Sequence, residues 1–233
     1  MRRLLFIALF CTSFFVSSEE TISRWMSDYF ERIHGHIGDE NYEKAKYELE
    51  MGNNNYFRGG RTYEAALLYQ LYGQFYAVQS QYTDAVPWFE KALATDKMPR
   101  IGAQEVRFQL AQTYFMIGKY ENVITLLEEF IKIGERYKYP VSARVNLLMS
   151  YSHGRIEQYD SSYYHIKQAN NKSDKPQIDW IEYAFSLAMK LENLDDAEDL
   201  GTRLLFLEPN KKKYWNQVSA LYFAKDFELN SLS

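Results

Sequence analysis

The stretch HGHIGDE at 34–40 comes nearest to chemistry in this chain, because His34, His36, Asp39 and Glu40 are the residue types that hold a divalent metal. A metal there would imply hydrolysis by activated water. Glycine separates the histidines, however, and the stretch is expected between two helices, where polar residues serve a turn equally well. His153 and His165 are the other histidines, and neither has a cysteine, serine or carboxylate at a spacing that would make it a base. Lys211, Lys212 and Lys213 form a short basic run that reads as a solvated turn. There is no phosphate-binding glycine loop, no paired carboxylate motif and no nucleophile with its base. The residues therefore predict a protein that is not an enzyme and carries no cofactor or metal, with a metal-dependent hydrolase as the weakest alternative.

The elements around these residues are announced by a recurring phrase: SQYTDAV at 80–86, GKYENVI at 118–124, EQYDSSY at 157–163 and ENLDDAE at 192–198. Each copy follows an apolar helix containing small and aromatic residues and opens another. Units then begin near Ala66, Gln104, Ala143, Ile178 and Lys212, at intervals of about 34 to 39 residues. In the first unit the key positions hold Tyr69, Tyr72, Gly73, Tyr76, Ala85, Phe89 and Ala92. The second holds Leu110, Ala111, Tyr114, Gly118, Tyr120 and Leu127, and the third holds Met149, Ser150, Tyr159, Ser162 and Ala169. The fourth keeps Leu194, Ala197 and Pro209, and the fifth begins with Trp215, Val218, Ser219 and Tyr222. His153 occupies the slot of Tyr76 and Tyr114, as a packed substitute for tyrosine.

These residues resemble the tetratricopeptide repeat (TPR), a helix-turn-helix unit of sparse large and small positions. The resemblance implies an all-α, right-handed superhelical solenoid of antiparallel helix pairs. About four full repeats are expected, with a degenerate N-terminal pair and a lone C-terminal helix. A single pair cannot bury its outer apolar face, so pairs stack, with small residues where helix axes approach and aromatics filling the space between. The fourth unit departs from the pattern, with Phe185 where a small residue is usual and Gly201 where a large one is usual, which reads as a size swap across the seam. The extra residues of the longer units are expected in the helices or in the loops around Pro99 and Pro140.

Residues 1–18 read as a secretory signal: Arg2 and Arg3, an apolar run from Leu4 to Val16, then Ser17 and Ser18. The run is short for a bilayer span, which needs roughly 20 residues. Removal of the leader takes Cys11 with it, so no disulfide is available, and it makes the chain more acidic than its net charge of −4. That balance argues against a nucleic-acid partner. Residues 19–60 are expected as an N-terminal cap or degenerate repeat, with NNNYFRGG at 53–60 as the turn into a TPR array over 61–233.

By the same resemblance the first helix of each unit lines a concave face. Carrying the family's groove positions over gives Gln70, Gln74, Phe108, Gln112 and Phe115, then Arg144, Leu147, Tyr151 and Arg155, then Glu182, Ser186 and Lys190. Aromatics, amides and two arginines suit an extended or helical peptide. The carboxylate-clamp pattern, lysine then asparagine four residues on, is absent from Gln70/Gln74, Phe108/Gln112 and Leu147/Tyr151. The segments at 107–130, 180–200 and 207–222 are similar to a periplasmic repeat protein of proteobacteria encoded beside TonB, ExbB and ExbD. That likeness implies a periplasmic scaffold for TonB-energised transport that binds a protein or peptide, TonB, ExbB or ExbD among the candidates. It would touch a membrane only through a partner or an uncleaved leader. The alternative is an assembly factor for the cell envelope that acts through its convex face or by self-association.

Overall fold

The structure is a computed structural model and describes residues 22–56, 62–173, 175 and 177–231. The expected leader, with Cys11, lies outside them. Every described regular element is helical: α1 (Arg24–Gly38), α2 (Tyr42–Met51), α3 (Tyr63–Val78), α4 (Tyr82–Ala94), α5 (Arg100–Met116), α6 (Tyr120–Tyr137), α7 (Ala143–Arg155), α8 (Tyr159–Asn171), α9 (Ile178–Lys190), α10 (Leu194–Leu207) and α11 (Lys212–Ser231), with one π-helical turn at Gly52–Tyr56. The helices fall into two compact units, one reaching to Leu126 and the other starting at Leu127, with the boundary inside α6.

The recurring phrase works through its backbone. Immediately before or within each copy one residue takes the left-handed conformation: Ser80, Gly118, Glu157 and Glu192. The next amide then closes back onto the preceding helix, with Gln81 donating to the Tyr76 carbonyl, Lys119 to Tyr114, Gln158 to His153 and Asn193 to Ala188, all at 2.9–3.0 Å. This reversal satisfies carbonyls that a helix end otherwise leaves unpaired. The α1–α2 pair has the same turn, with Glu40 left-handed and Asn41 donating to His36 at 2.8 Å. It is thus built like the repeats that follow. Each second helix also carries an acid in its first turn (Glu43, Asp84, Glu121, Asp160, Asp195), opposite the positive end of the helix dipole.

Seams between paired helices are filled in three ways. In the first repeat, a Cβ on Gly73 would sit 2.6 Å from the Phe89 ring, so only glycine admits the phenyl group. Trp88 of α4 stacks on Tyr72 of α3 at 4.0 Å. In the third, Ser150 and Ser162 meet through hydroxyls, each donating to the other's backbone carbonyl at 2.6 and 2.8 Å. In the fourth the sizes are reversed: a Cβ on Gly201 would lie 3.1 Å from the Phe185 ring and 2.8 Å from Val218. The ring has moved to the first helix and the gap to the second, as the sequence anticipated.

Two expectations are corrected, and a third is narrowed to one of its two alternatives. HGHIGDE does not lie between helices, because α1 runs through His34 and His36 to Gly38 and only the residues after it turn. Two positions apart on a helix, the histidines point to nearly opposite sides and cannot share an ion. Among the described residues no group of three or more metal-ligating side chains is arranged for a metal. NNNYFRGG does not begin as a turn, since α2 continues into the π-helical turn as far as Tyr56; residues 57–60 lie outside the described chain. The extra length of the second unit is helical, with 17 residues in α5 and 18 in α6 against 13 in α4, α7, α8 and α9. Among the described residues no helix is long and apolar enough to cross a membrane.

Candidate functional site

In the first unit, α3 and α5 carry the expected positions Gln70, Gln74, Phe108, Gln112 and Phe115. Positions 108, 112 and 115 share one helical face by their spacing. Gln70 Nε2 donates to Gln109 Oε1 at 3.1 Å, tying α3 to α5 amide to amide. Gln104, Gln109 and Gln112 are all buried, although glutamine is mostly an exposed residue. Gln104 Oε1 accepts from Arg107 at 3.3 Å. Gln112 Oε1 is buried and accepts no hydrogen bond from any described residue. Leaving such an acceptor unpaired costs about 1–3 kcal/mol. Gln74 and Phe108 are half-buried, and Phe115 packs edge-on against Tyr120 at 5.3 Å. The sequence reading missed Gln109 and Gln104. Their signal was available in QEVRFQLAQTY at 104–114, where three glutamines recur on one helix.

In the second unit, α7 and α9 carry the other expected positions, and most are already engaged within the chain. Leu147 packs in the core with Tyr163, Ile181 and Ala184. Glu182 accepts from Lys213 at 2.8 Å. Burial pushes its carboxyl up, but hydrogen bonds from Lys213 and Tyr214 and the nearby lysine charges bring it below its ordinary value. Ser186 Oγ donates to the Tyr183 carbonyl, and the Lys190 ammonium lies over the Tyr159 ring at 4.1 Å. Tyr151 is half-buried against Tyr183, with ring centroids 5.0 Å apart. Its phenol is pushed up to about 12 by burial, then by Asp179 and Tyr183, so it stays protonated as a donor. Arg144 and Arg155 are exposed, and no described acid pairs with either.

The remaining histidines form a structural pair. His153 and His165 stack nearly parallel at 5.5 Å, with Nδ1 of His153 against Gln158 Oε1 at 2.7 Å and Nδ1 of His165 against Asn146 Oδ1 at 3.3 Å. Burial, with help from His153 and Lys172, lowers the His165 imidazole to about 4. The ring is neutral at physiological pH and hydrogen-bonded to an amide rather than to a carboxylate, which leaves it without the partner that orients a catalytic base.

No family model matches the chain, and no curated protein matches it. Solved structures do. MamA (residue 41 to its end) from Desulfovibrio magneticus RS-1 superposes with a TM-score of 0.63 at 17% identity, covering 82% of this chain and 99% of that one. YrrB, described as a TPR protein with an unusual peptide-binding site, gives a TM-score of 0.62 at 14% identity, covering 81% and 89%. A STAND signal-transduction ATPase with a tetratricopeptide repeat sensor, from Pyrococcus horikoshii, gives 0.70 at 17% identity, with this chain spanning 33% of that longer protein. At these identities the likeness establishes the fold, an all-helical solenoid of tetratricopeptide type.

Proposed function

We propose that this protein is a non-catalytic scaffold that holds a segment of a partner polypeptide against the α3/α5 face. The observation that carries the reading is Gln112, a residue 8% exposed whose side-chain oxygen accepts no hydrogen bond from any described residue, one helical turn from Gln109 of the Gln70–Gln109 amide bridge. A primary amide presents one acceptor and two donors, which match the N–H and C=O of a peptide group. A buried acceptor without a donor is the kind of group that a partner's backbone would satisfy. The shared fold with YrrB, itself described as peptide-binding, is consistent with this reading.

The compartment we propose is the periplasm, supported by the leader-like pattern of residues 1–18, and the partner we propose is a component of the TonB–ExbB–ExbD system, supported by the segment likeness. The test is calorimetric titration of the full chain with the purified periplasmic domains of TonB and ExbD. Binding is expected, and Gln112→Leu should weaken it about tenfold, the effect of roughly 1.4 kcal/mol, while leaving thermal stability unchanged or raised. Absence of binding to both domains would remove the TonB assignment. Binding indifferent to Gln112→Leu would remove the α3/α5 face.

A further inference from the structure

The turn between α10 and α11 gathers apolar and basic side chains at the surface. Phe206 is 85% exposed and Leu207 44%, and Arg203 lies on their stripe of α10, three and four positions back. Lys211, Lys212 and Lys213 follow directly, all exposed. The exposure of Phe206 belongs to its place in the repeat. Counted from the buried first-turn residues Ala85, Val123, Ser162 and Ala197, its slot falls at Ala94 in α4, Lys132 in α6 and Asn171 in α8. All three are exposed, although further helices follow each of them. Those helices put a small, charged or amide side chain into water there; α10 puts a phenyl ring.

The cations are only partly used within the chain. Lys211 is tied to Glu208 at 2.7 Å and Lys213 to Glu182 of α9 at 2.8 Å, while Lys212 and Arg203 pair with no described acid. Lys212 also stands in the first turn of α11, which holds no acid, at the positive end of the helix dipole, where a cation opposes the helix. Its charge gains nothing from the helix it begins. The turn that carries these side chains is fixed, with the Lys211 N–H donating to the Glu208 carbonyl at 3.1 Å and Trp215 Nε1 to the Pro209 carbonyl at 2.8 Å. A surface held beforehand loses less entropy on contact.

We infer that the α10–α11 turn docks on an anionic lipid surface, with Phe206 and Leu207 entering the headgroup layer and Arg203 and the three lysines resting on lipid phosphates. Charge complementarity selects the sign of the surface, since each lysine or arginine brought to an anionic leaflet strengthens binding about fivefold. The protruding ring selects a bilayer over a folded partner. An aromatic anchor in a protein interface needs a pocket shaped for it, whereas lipid closes around any apolar side chain, and aromatics flanked by lysine are what interfacial elements present to headgroups. The contact belongs to the folded array, apart from the leader pattern of residues 1–18, at a place where the sequence read only a solvated turn. It does not involve the α3/α5 face and stands independently of it.

The test places an environment-sensitive dye in the α10–α11 turn through Asn210→Cys, in the full chain with its one cysteine removed by Cys11→Ser. The labelled chain is titrated with vesicles of phosphatidylcholine and phosphatidylglycerol in equal parts. A second chain carries the dye in the α4–α5 turn through Lys97→Cys. Blue-shifted emission is expected at position 210 and not at position 97, which separates docking by this turn from capture of the chain by residues 1–18. Phe206→Ala should raise the lipid needed for half the shift at least about tenfold, and Lys212→Glu about fivefold. Both residues are exposed, and circular dichroism checks that the variants fold. The inference is overturned by no shift at position 210, by an equal shift at position 97, by a shift as large on phosphatidylcholine alone, or by one that neither variant weakens. A shift produced by a polyglutamate peptide and not by vesicles also overturns it, and assigns the turn to an acidic protein.

Discussion

The first repeat and the fourth solve one packing problem from opposite sides. In the first, glycine is on the leading helix and phenylalanine on the following one; in the fourth, Phe185 leads and Gly201 follows. Helix pairs in an array need a ring and a gap at each crossing, but either helix can supply either part. The third repeat uses neither, closing its crossing with the Ser150–Ser162 hydroxyls and stacking His153 on His165 a turn away. The first unit's crossing is thus apolar and indifferent to acid, whereas the second unit's crossings mix an inverted ring with polar groups that must all be satisfied.

Removing the rings tests the equivalence of the two arrangements most severely. Phe89→Ala and Phe185→Ala should each lower the unfolding free energy by about 3–5 kcal/mol, read by urea denaturation. A much smaller loss at Phe185 would break the equivalence and show that its cavity collapses. Filling the gap comes next. Gly201→Leu should cost about 1–3 kcal/mol from overpacking against Val218 and Phe185. The double variant Gly201→Leu with Phe185→Ala should recover part of that loss, with a coupling of about 0.5–3 kcal/mol. A Gly201→Leu chain as stable as the parent would refute the size swap. At the turns, Gly118 has φ +78 with open space around it, so Gly118→Ala should destabilise through backbone strain alone, by about 1 kcal/mol.

The shallowest effect separates the two units by pH. His165 has its imidazole depressed in the folded chain to about 4 from an ordinary 6.5. The unfolded chain therefore takes up the proton first as pH falls. Stability from this group is complete above about 6.5 and lost as pH drops from there towards 4, where the folded ring also protonates. Its partial exposure screens the size of the loss. Denaturant midpoints should decline over that window in the parent and stay flatter in His165→Asn. Equal slopes in both would assign acid sensitivity elsewhere.

Most of the fold was legible because the turns are written in short-range chemistry: a left-handed residue, a cap and an acid within a few positions. The seam swap was legible too, since Phe185 and Gly201 stand in register against Gly73 and Phe89. The limits have physical causes. Nothing local stops α1 before Gly38, so His34 and His36 became helical. The buried state of Gln104, Gln109 and Gln112 depends on the helices packed against α5, α4 among them, which local periodicity does not encode. Trp215 and Tyr222 matched the repeat pattern as core, yet whether a slot is buried depends on the helix opposite it. The expected groove positions on α3, α5, α7 and α9 came from family register, and the structure adds that Glu182, Ser186 and Lys190 already have intramolecular partners.

The turn closures carry one more consequence. Asn41, Gln81, Lys119, Gln158 and Asn193 lie at the surface, where amides ordinarily exchange with solvent within moments, yet each of their N–H groups is locked into the helix behind it. They amount to one natural isotope-exchange reporter per helix pair. Because an array opens pair by pair rather than all at once, deuterium uptake at these five amides would give the order in which the pairs come apart, with no label added to the protein.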